Sequence, residues 1–248
     1  MATKAVISDS APFRLTSAVQ ARGHRWFSRP GELNLIGIRT PGTVSGRFDD
    51  MMMACVRHRD GRWHTWAFPC TTDPGTYYLG KPISPRGTAM LCQGQYEGAY
   101  RLGLHKGKYQ ALVQIGPVKI IRGHDRQALL YEGGSEERGL FGINIHRAGA
   151  SGTTDEVGRY SAGCQVLADA TDFKTLMGLA TLHTELYGPQ ITYMLIDMRE
   201  LELEARRTAG FAALVLAALL SLWESFRSKT TARASKTKTR KRKSALAA

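Results

Sequence analysis

Cys164 and His146 are the two residues whose types and spacing can do chemistry. A thiol becomes a strong nucleophile only when it loses its proton, and a nearby imidazole can take that proton. The cysteine lies in Tyr160-Ser161-Ala162-Gly163-Cys164-Gln165-Val166, a turn of small residues. The histidine ends the run Phe141-Gly142-Ile143-Asn144-Ile145-His146. Gly163 lets the backbone turn tightly before the nucleophile, and amides at Gly163 and Cys164 would face a developing oxyanion. Ser161 would tie the turn together. In a strand, Phe141, Ile143 and Ile145 fall on one face, and Asn144 and His146 on the other. A core-anchored strand would then deliver the imidazole to a cleft, with its ring roughly 4 Å from the sulfur. The alternative is a buried structural thiol, since free cysteine is among the most buried residue types.

The elements that must position this pair are short. Apolar runs alternate with turn signals from Glu32 to Asp197. Leu33–Ile38, Met51–Val56, Trp63–Phe68, Thr88–Cys92, Tyr109–Ile115, Val118–Ile121, Gln127–Tyr131 and Ile191–Ile196 read as strands. Asp60-Gly61 marks a hairpin between the second and third of these. The segment Gly103–Tyr109 reads as a basic loop, and its His105, like His124, is a weaker candidate base than His146. One helix is expected after the cysteine turn, capped among Asp169, Thr171 and Asp172 and ended by Gly188-Pro189. The fold class is mainly β (α+β), a β-sandwich or barrel-like core with one late helix. Residues 1–30 read as a polar N-terminal arm and 31–197 as the catalytic domain. Residues 198–226 read as a charged then apolar helix, and 227–248 as a basic disordered tail.

The two motifs resemble the L,D-transpeptidase (YkuD-type) catalytic domain. That family carries a histidine on a strand, a polar Gly-rich stretch, and a Ser/Thr-His-Gly-Cys turn. Here the stretch runs Arg147 to Arg159, and the turn reads Ser161-Ala162-Gly163-Cys164. Thr71-Thr72-Asp73-Pro74-Gly75-Thr76-Tyr77-Tyr78 is similar to the family's Thr-Pro-x-Gly-x-Phe strand entry. The chain departs at Ala162, where the family has histidine, and at Gln165 and Val166 after the nucleophile. The resemblance implies an enzyme that modifies peptidoglycan peptide stems through a Cys164 thioester, with His146 as base. Asn144, Arg147, Gln165 and Tyr109 are the candidate substrate contacts, and no cofactor is expected. Hydrolysis and cross-linking both stay open. A non-catalytic envelope-binding adaptor on the same fold is the rival reading.

The net charge of +13 is mostly local. Nine lysines and arginines between Arg227 and Lys243 have no acid among them, leaving about +4 elsewhere. Ala209–Trp223 is nearly all apolar but shorter than the roughly twenty residues of a usual spanning helix. A short anchor, an interfacial helix and a buried helix are all compatible with it. The tail calls for an anionic membrane or envelope surface in preference to nucleic acid, because no DNA-binding motif or interleaved aromatics accompany it. Four cysteines (Cys55, Cys70, Cys92, Cys164) form no C-x-x-C and no zinc-ligand spacing, so neither metal nor disulfide framework is expected. Residues 1–30 show no continuous apolar core of a secretory signal. A wall-active protein made in the cytoplasm without a signal fits a phage lysis or virion-carried protein.

Overall fold

The computed structural model describes residues 3–41, 46–123 and 135–207. Twelve strands and four helices are described. They are β1 (Val6–Ser8), α1 (Phe13–Ala21), β2 (Leu33–Arg39), β3 (Asp50–Arg57), β4 (Trp63–Thr71), α2 (Thr76–Gly80), β5 (Thr88–Leu91) and β6 (Gly94–His105). After these come β7 (Tyr109–Gln114), β8 (Val118–Gly123), β9 (Ser135–Gly139), β10 (Ile145–Arg147), β11 (Gln165–Leu167), α3 (Ala170–Tyr187), β12 (Ile191–Asp197) and α4 (Met198–Arg207). The chain divides into a unit spanning 1–201 and a second spanning 202–248, of which only 202–207 are described.

The main sheet runs β1-β4-β11-β10-β7-β6-β12-β2-β3, and β3 also pairs with β4. That last pairing closes eight strands into a mixed barrel, so those strands present no free edge. Two pairs are parallel, β10 with β11 and β12 with β2. A second sheet of three strands, β5-β8-β9, packs into the same core. The fold is therefore mainly β: an eight-stranded mixed barrel, a small sheet and few helices.

Large side chains fill the barrel, among them Leu35, Met52, Phe68, Tyr100, Leu112, Ile145, Leu167 and Tyr193. Leu176, Met177 and Ala180 of α3 join that core, which is why their i, i+1, i+4 spacing is apolar. Asp169 caps α3, its carboxylate accepting the Thr171 and Asp172 N–H groups, and Gly188 ends it. Tyr193 crosses the barrel over Gly37, where any Cβ would lie 1.9 Å from the tyrosine oxygen.

Four expectations change. The N-terminal segment is structured, because β1 pairs with β4 and α1 buries Leu15, Ala18 and Val19. Gly103–His105 is not loop but the end of the twelve-residue β6, and only Lys106–Lys108 turns. Thr76–Gly80 is a short helix in place of a strand entry. Of the run ending at His146, only Ile145–Arg147 pairs as a strand, since Gly142 takes φ +70° and breaks the extended run. Met198–Arg207 is helical as its composition predicts. The expected strand Gln127–Tyr131, His124, the apolar run 209–223 and the basic tail lie outside the described residues.

Candidate active site

Three short pieces of backbone bring the site together. Strands β10 and β11 run parallel with Ile145 opposite Gln165 and His146 opposite Val166. Gln165 N–H donates to the Asn144 carbonyl at 2.9 Å, which sets Cys164 beside Asn144. Side chains alternate, so Asn144, His146, Cys164 and Val166 share one face and Ile145, Gln165 and Leu167 the other. Cys164 and His146 are then diagonal neighbours, about 8 Å apart at Cα, a separation that an imidazole can bridge.

The cysteine turn is over-determined. Ser161 is fully buried, and its hydroxyl proton is shared between the carbonyls of Asp73 (2.9 Å) and Cys164 (2.8 Å). Its oxygen accepts the Gly163 N–H at 3.2 Å. Gly75 N–H donates to the Ser161 carbonyl at 2.9 Å, fastening the Pro74-Gly75 loop to the same turn. Gly163 has φ +123°, and a Cβ there would sit 2.5 Å from the Ala89 carbonyl oxygen and 2.9 Å from Ile143 Cδ1. Only glycine fits. Ser161 ties the turn as its sequence position predicts, but the oxyanion expectation needs correction. The Gly163 amide is directed at Ser161 and so is not free to meet an oxyanion.

The thiol itself is held. Cys164 is only 9% exposed, and its Sγ–H donates to the Gly142 carbonyl at 3.5 Å. Burial pushes its pKa up, while the Asn144 backbone N–H and the charge of Lys106 pull it down. The resting sulfur is a neutral thiol.

His146 is 2% exposed. Its Nδ1 lies 2.8 Å from the Arg147 carbonyl oxygen, which can only accept, so Nδ1 carries the proton. Tyr109 O–H donates to the same carbonyl at 3.2 Å, and its oxygen lies 3.2 Å from Nδ1. The other nitrogen, Nε2, is therefore a bare lone pair, and it is buried with no hydrogen-bond partner. Burial, then the neighbouring His105, push the His146 pKa down to about 3, with Lys106 and Arg147 adding to the effect. The ring is neutral over the physiological range.

The expected substrate contacts separate into two groups. Tyr109 and Arg147 do border His146, and the Arg147 guanidinium lies 4.3 Å over the Tyr109 ring. Arg147 also donates to the Gly149 carbonyl. Asn144 faces the site, yet its side chain is engaged: Oδ1 accepts Gln114 N–H at 2.9 Å and Nδ2 meets His105 Nδ1 at 3.1 Å. Gln165 is a correction. It points into the barrel, fully buried, with Nε2 donating to Gly163 O at 3.2 Å and Oε1 accepting from Tyr193 at 2.9 Å. It braces the turn from beneath and has no surface to offer a substrate.

His105, a weaker candidate from the sequence, and residues not singled out there complete the site. His105 stacks on His146, ring centres 4.0 Å apart and planes 28° inclined. It was the weaker candidate because its strand was unrecognised. The β6–β7 register sets His105 opposite Tyr109, and that hairpin lies beside β10. Gln114 spans the run before His146: Oε1 accepts Phe141 and Ile143 N–H groups at 3.1 and 2.9 Å, and Nε2 donates to Gly139 at 2.9 Å. Behind the cysteine turn, Arg39 is buried against Asp73 (3.2 Å) and donates to Thr72 and Leu91. Asp50 accepts Thr72 N–H at 2.7 Å in the same network.

No group of three or more His, Cys, Asp or Glu side chains placed to hold a metal occurs among the described residues. Among them, no helix is long and apolar enough to cross a membrane. Comparison with protein-family models, curated proteins and solved structures finds no match for this chain. The fold is thus a mixed β-barrel that places Cys164 and His146 on one face of adjoining parallel segments.

Proposed function

We propose that this chain is a cysteine-dependent, L,D-transpeptidase-like enzyme acting on peptidoglycan peptide stems. One observation carries the proposal. The bare Nε2 of His146 is buried without a partner, on the sheet face that bears Cys164. A buried polar atom left unpaired costs about 1–3 kcal/mol; Trp26 Nε1, His64 Nε2 and Tyr100 Oη share that state elsewhere, and what sets the His146 nitrogen apart is its place on the face that bears Cys164. A nitrogen kept bare by a proton locked on the opposite side of the ring has the form of a general base.

The chemistry follows from the neutral pair. Because the thiol is raised and the imidazole lowered, the thiolate–imidazolium ion pair is a minor state at rest. Cys164 would lose its proton to Nε2 as the sulfur attacks the stem carbonyl, with Cys164 N–H supporting the oxyanion. The imidazolium then returns that proton to the leaving amine, and a thioester remains. An amine or water, deprotonated by the same Nε2, would cleave the thioester. With Ala162 in the turn and Gln165 turned inward, donor recognition is loosened and water is the favoured acceptor. Disaccharide-tetrapeptide supplied with and without a D-amino acid, products read by mass, tests this. Cleaved stems that disappear in Cys164→Ala support the reading; dominant exchange or dimer product refutes the hydrolytic preference.

A second reading rests on the thiol. Burial to 9% exposure with both a donor and an acceptor supplied also describes an inert structural cysteine. On that reading the barrel is an envelope-binding adaptor. Failure of Cys164 to react with iodoacetamide in the folded protein would favour it.

A further inference from the structure

The hydrogen bonds around the two stacked imidazoles fix where each proton sits. Gln114 N–H can only donate, so the Asn144 atom 2.9 Å from it is the carbonyl oxygen. The Asn144 amide nitrogen therefore faces His105 Nδ1 at 3.1 Å and donates to it. His105 Nδ1 must be a lone pair, and its proton lies on Nε2. Adding a second proton to His105 would set N–H against N–H. The Asn144 oxygen cannot be exchanged in without breaking the Gln114 bond. The two rings thus hold opposite tautomers, His105 Nε2–H and His146 Nδ1–H, with centres 4.0 Å apart.

We propose that His105 is a positioning residue for the base: Asn144 keeps it neutral, and its ring, stacked on His146, holds that imidazole in the Nδ1–H form with Nε2 bare. This rests on reading His146 as the base for Cys164. The groups facing His146 are His105 and Lys106 from β6 and its turn, Tyr109 from β7, Arg147 from its own strand and Cys164 before β11. Of these, His105 alone lies flat against the ring. The stack leaves the His146 plane little freedom to swing Nδ1 away from the Arg147 carbonyl. Keeping His105 neutral also matters, because a cation 4.0 Å away would oppose every proton that His146 must accept.

The test uses the full chain labelled with 15N-histidine. In His105→Ala the ratio of Nδ1–H to Nε2–H tautomer at His146 should fall at least about threefold, since the Arg147 carbonyl and the Tyr109 oxygen must then choose the tautomer without the stack. His105→Phe supplies a flat ring of similar size and should restore the ratio. In Asn144→Asp the new carboxylate can accept from a protonated Nδ1, so His105 should titrate at least about one pH unit higher, a tenfold change in proton affinity. An unchanged His146 tautomer in His105→Ala, with the fold intact in His105→Phe, overturns the proposal. So does an unmoved His105 titration in Asn144→Asp. The base reading is tested separately by iodoacetamide labelling of Cys164 in His146→Gln. An unchanged labelling rate there removes the base, whereas unchanged tautomers with His146-dependent labelling remove only the role of His105.

Discussion

Replacing His146 with glutamine should flatten the acid side of the stability profile by an amount the site predicts. The folded protein holds this imidazole at a pKa of about 3, against an ordinary value of 6.5, chiefly because burial disfavours the cation. The unfolded chain binds a proton near 6.5 and the folded chain does not until about pH 3. Stability linked to His146 is therefore fully present above pH 6.5 and is lost progressively as pH falls towards 3. At pH 5 the gap covers about 1.5 pH units, or about 2 kcal/mol. Glutamine has no titrating proton in this range and can still donate to the Arg147 carbonyl. Urea unfolding of both proteins at pH 7.5 and pH 5.0 gives four free energies. The wild type should lose about 2 kcal/mol more than His146→Gln between the two conditions. Other groups cancel in that double difference unless they contact His146, and His105 is the one to watch. Equal losses in the two proteins would mean that His146 protonates in the folded state without penalty, and the buried, bare Nε2 would be refuted.

Three further outcomes are expected. Gly163→Ala should destabilise by at least about 2 kcal/mol, because φ +123° and the Ala89 carbonyl 2.5 Å from the new Cβ both oppose it; thermal melting reads the loss. Asp50, raised to about 7 by burial and by Asp73, should contribute stability that is present below pH 3.8 and disappears as pH rises through 7, up to about 4 kcal/mol by linkage, visible as a falling denaturation midpoint between pH 4 and 8. Deleting the chain from Ala209 onward should abolish sedimentation with anionic vesicles and leave muropeptide cleavage unchanged, with co-sedimentation equal to the full chain counting against a membrane role for the tail.

Local pattern carried much of the fold. The Asp60-Gly61 hairpin, the paired apolar runs around it and the capped helix after Cys164 are all set by neighbours within a few residues, and each appears where its residues indicate. The barrel's strand order was not legible, because the pairing of β12 with β2 and β6 depends on residues far apart in sequence. Strand β6 was missed for a related reason. Gly94, Gly98 and Gly103 interrupt its apolar alternation, and small residues at such points serve close packing, as where a Cβ at Gly103 would meet Val113 at 2.6 Å. With β6 unseen, His105 had no strand to deliver it. Cys164 directly precedes β11 and His146 lies in its parallel neighbour β10, each carried by small or apolar residues close in sequence, which is why this pair could be proposed from the sequence.

The direction of Gln165 bears on which residues could meet a substrate. A residue directly after a nucleophile is a natural place for a substrate contact, yet here it faces the barrel and joins Tyr193 to Gly163. The Cys164 turn is thus braced by Gln165 and by Ser161 with Asp73, and Ala89 and Ile143 crowd Gly163. On the proposed reading, rigidity and recognition are separated in space: the turn is fixed by buried groups, while Tyr109 and Arg147 border the imidazole as an aromatic–cation pair. Changes to that border should alter substrate preference without loosening the nucleophile. Arg147→Ala should raise KM for anionic stems while leaving the melting temperature within a few degrees, because the lost packing is partly solvent-exposed. A large fall in melting temperature would show instead that Arg147 belongs to the frame, and that this separation fails.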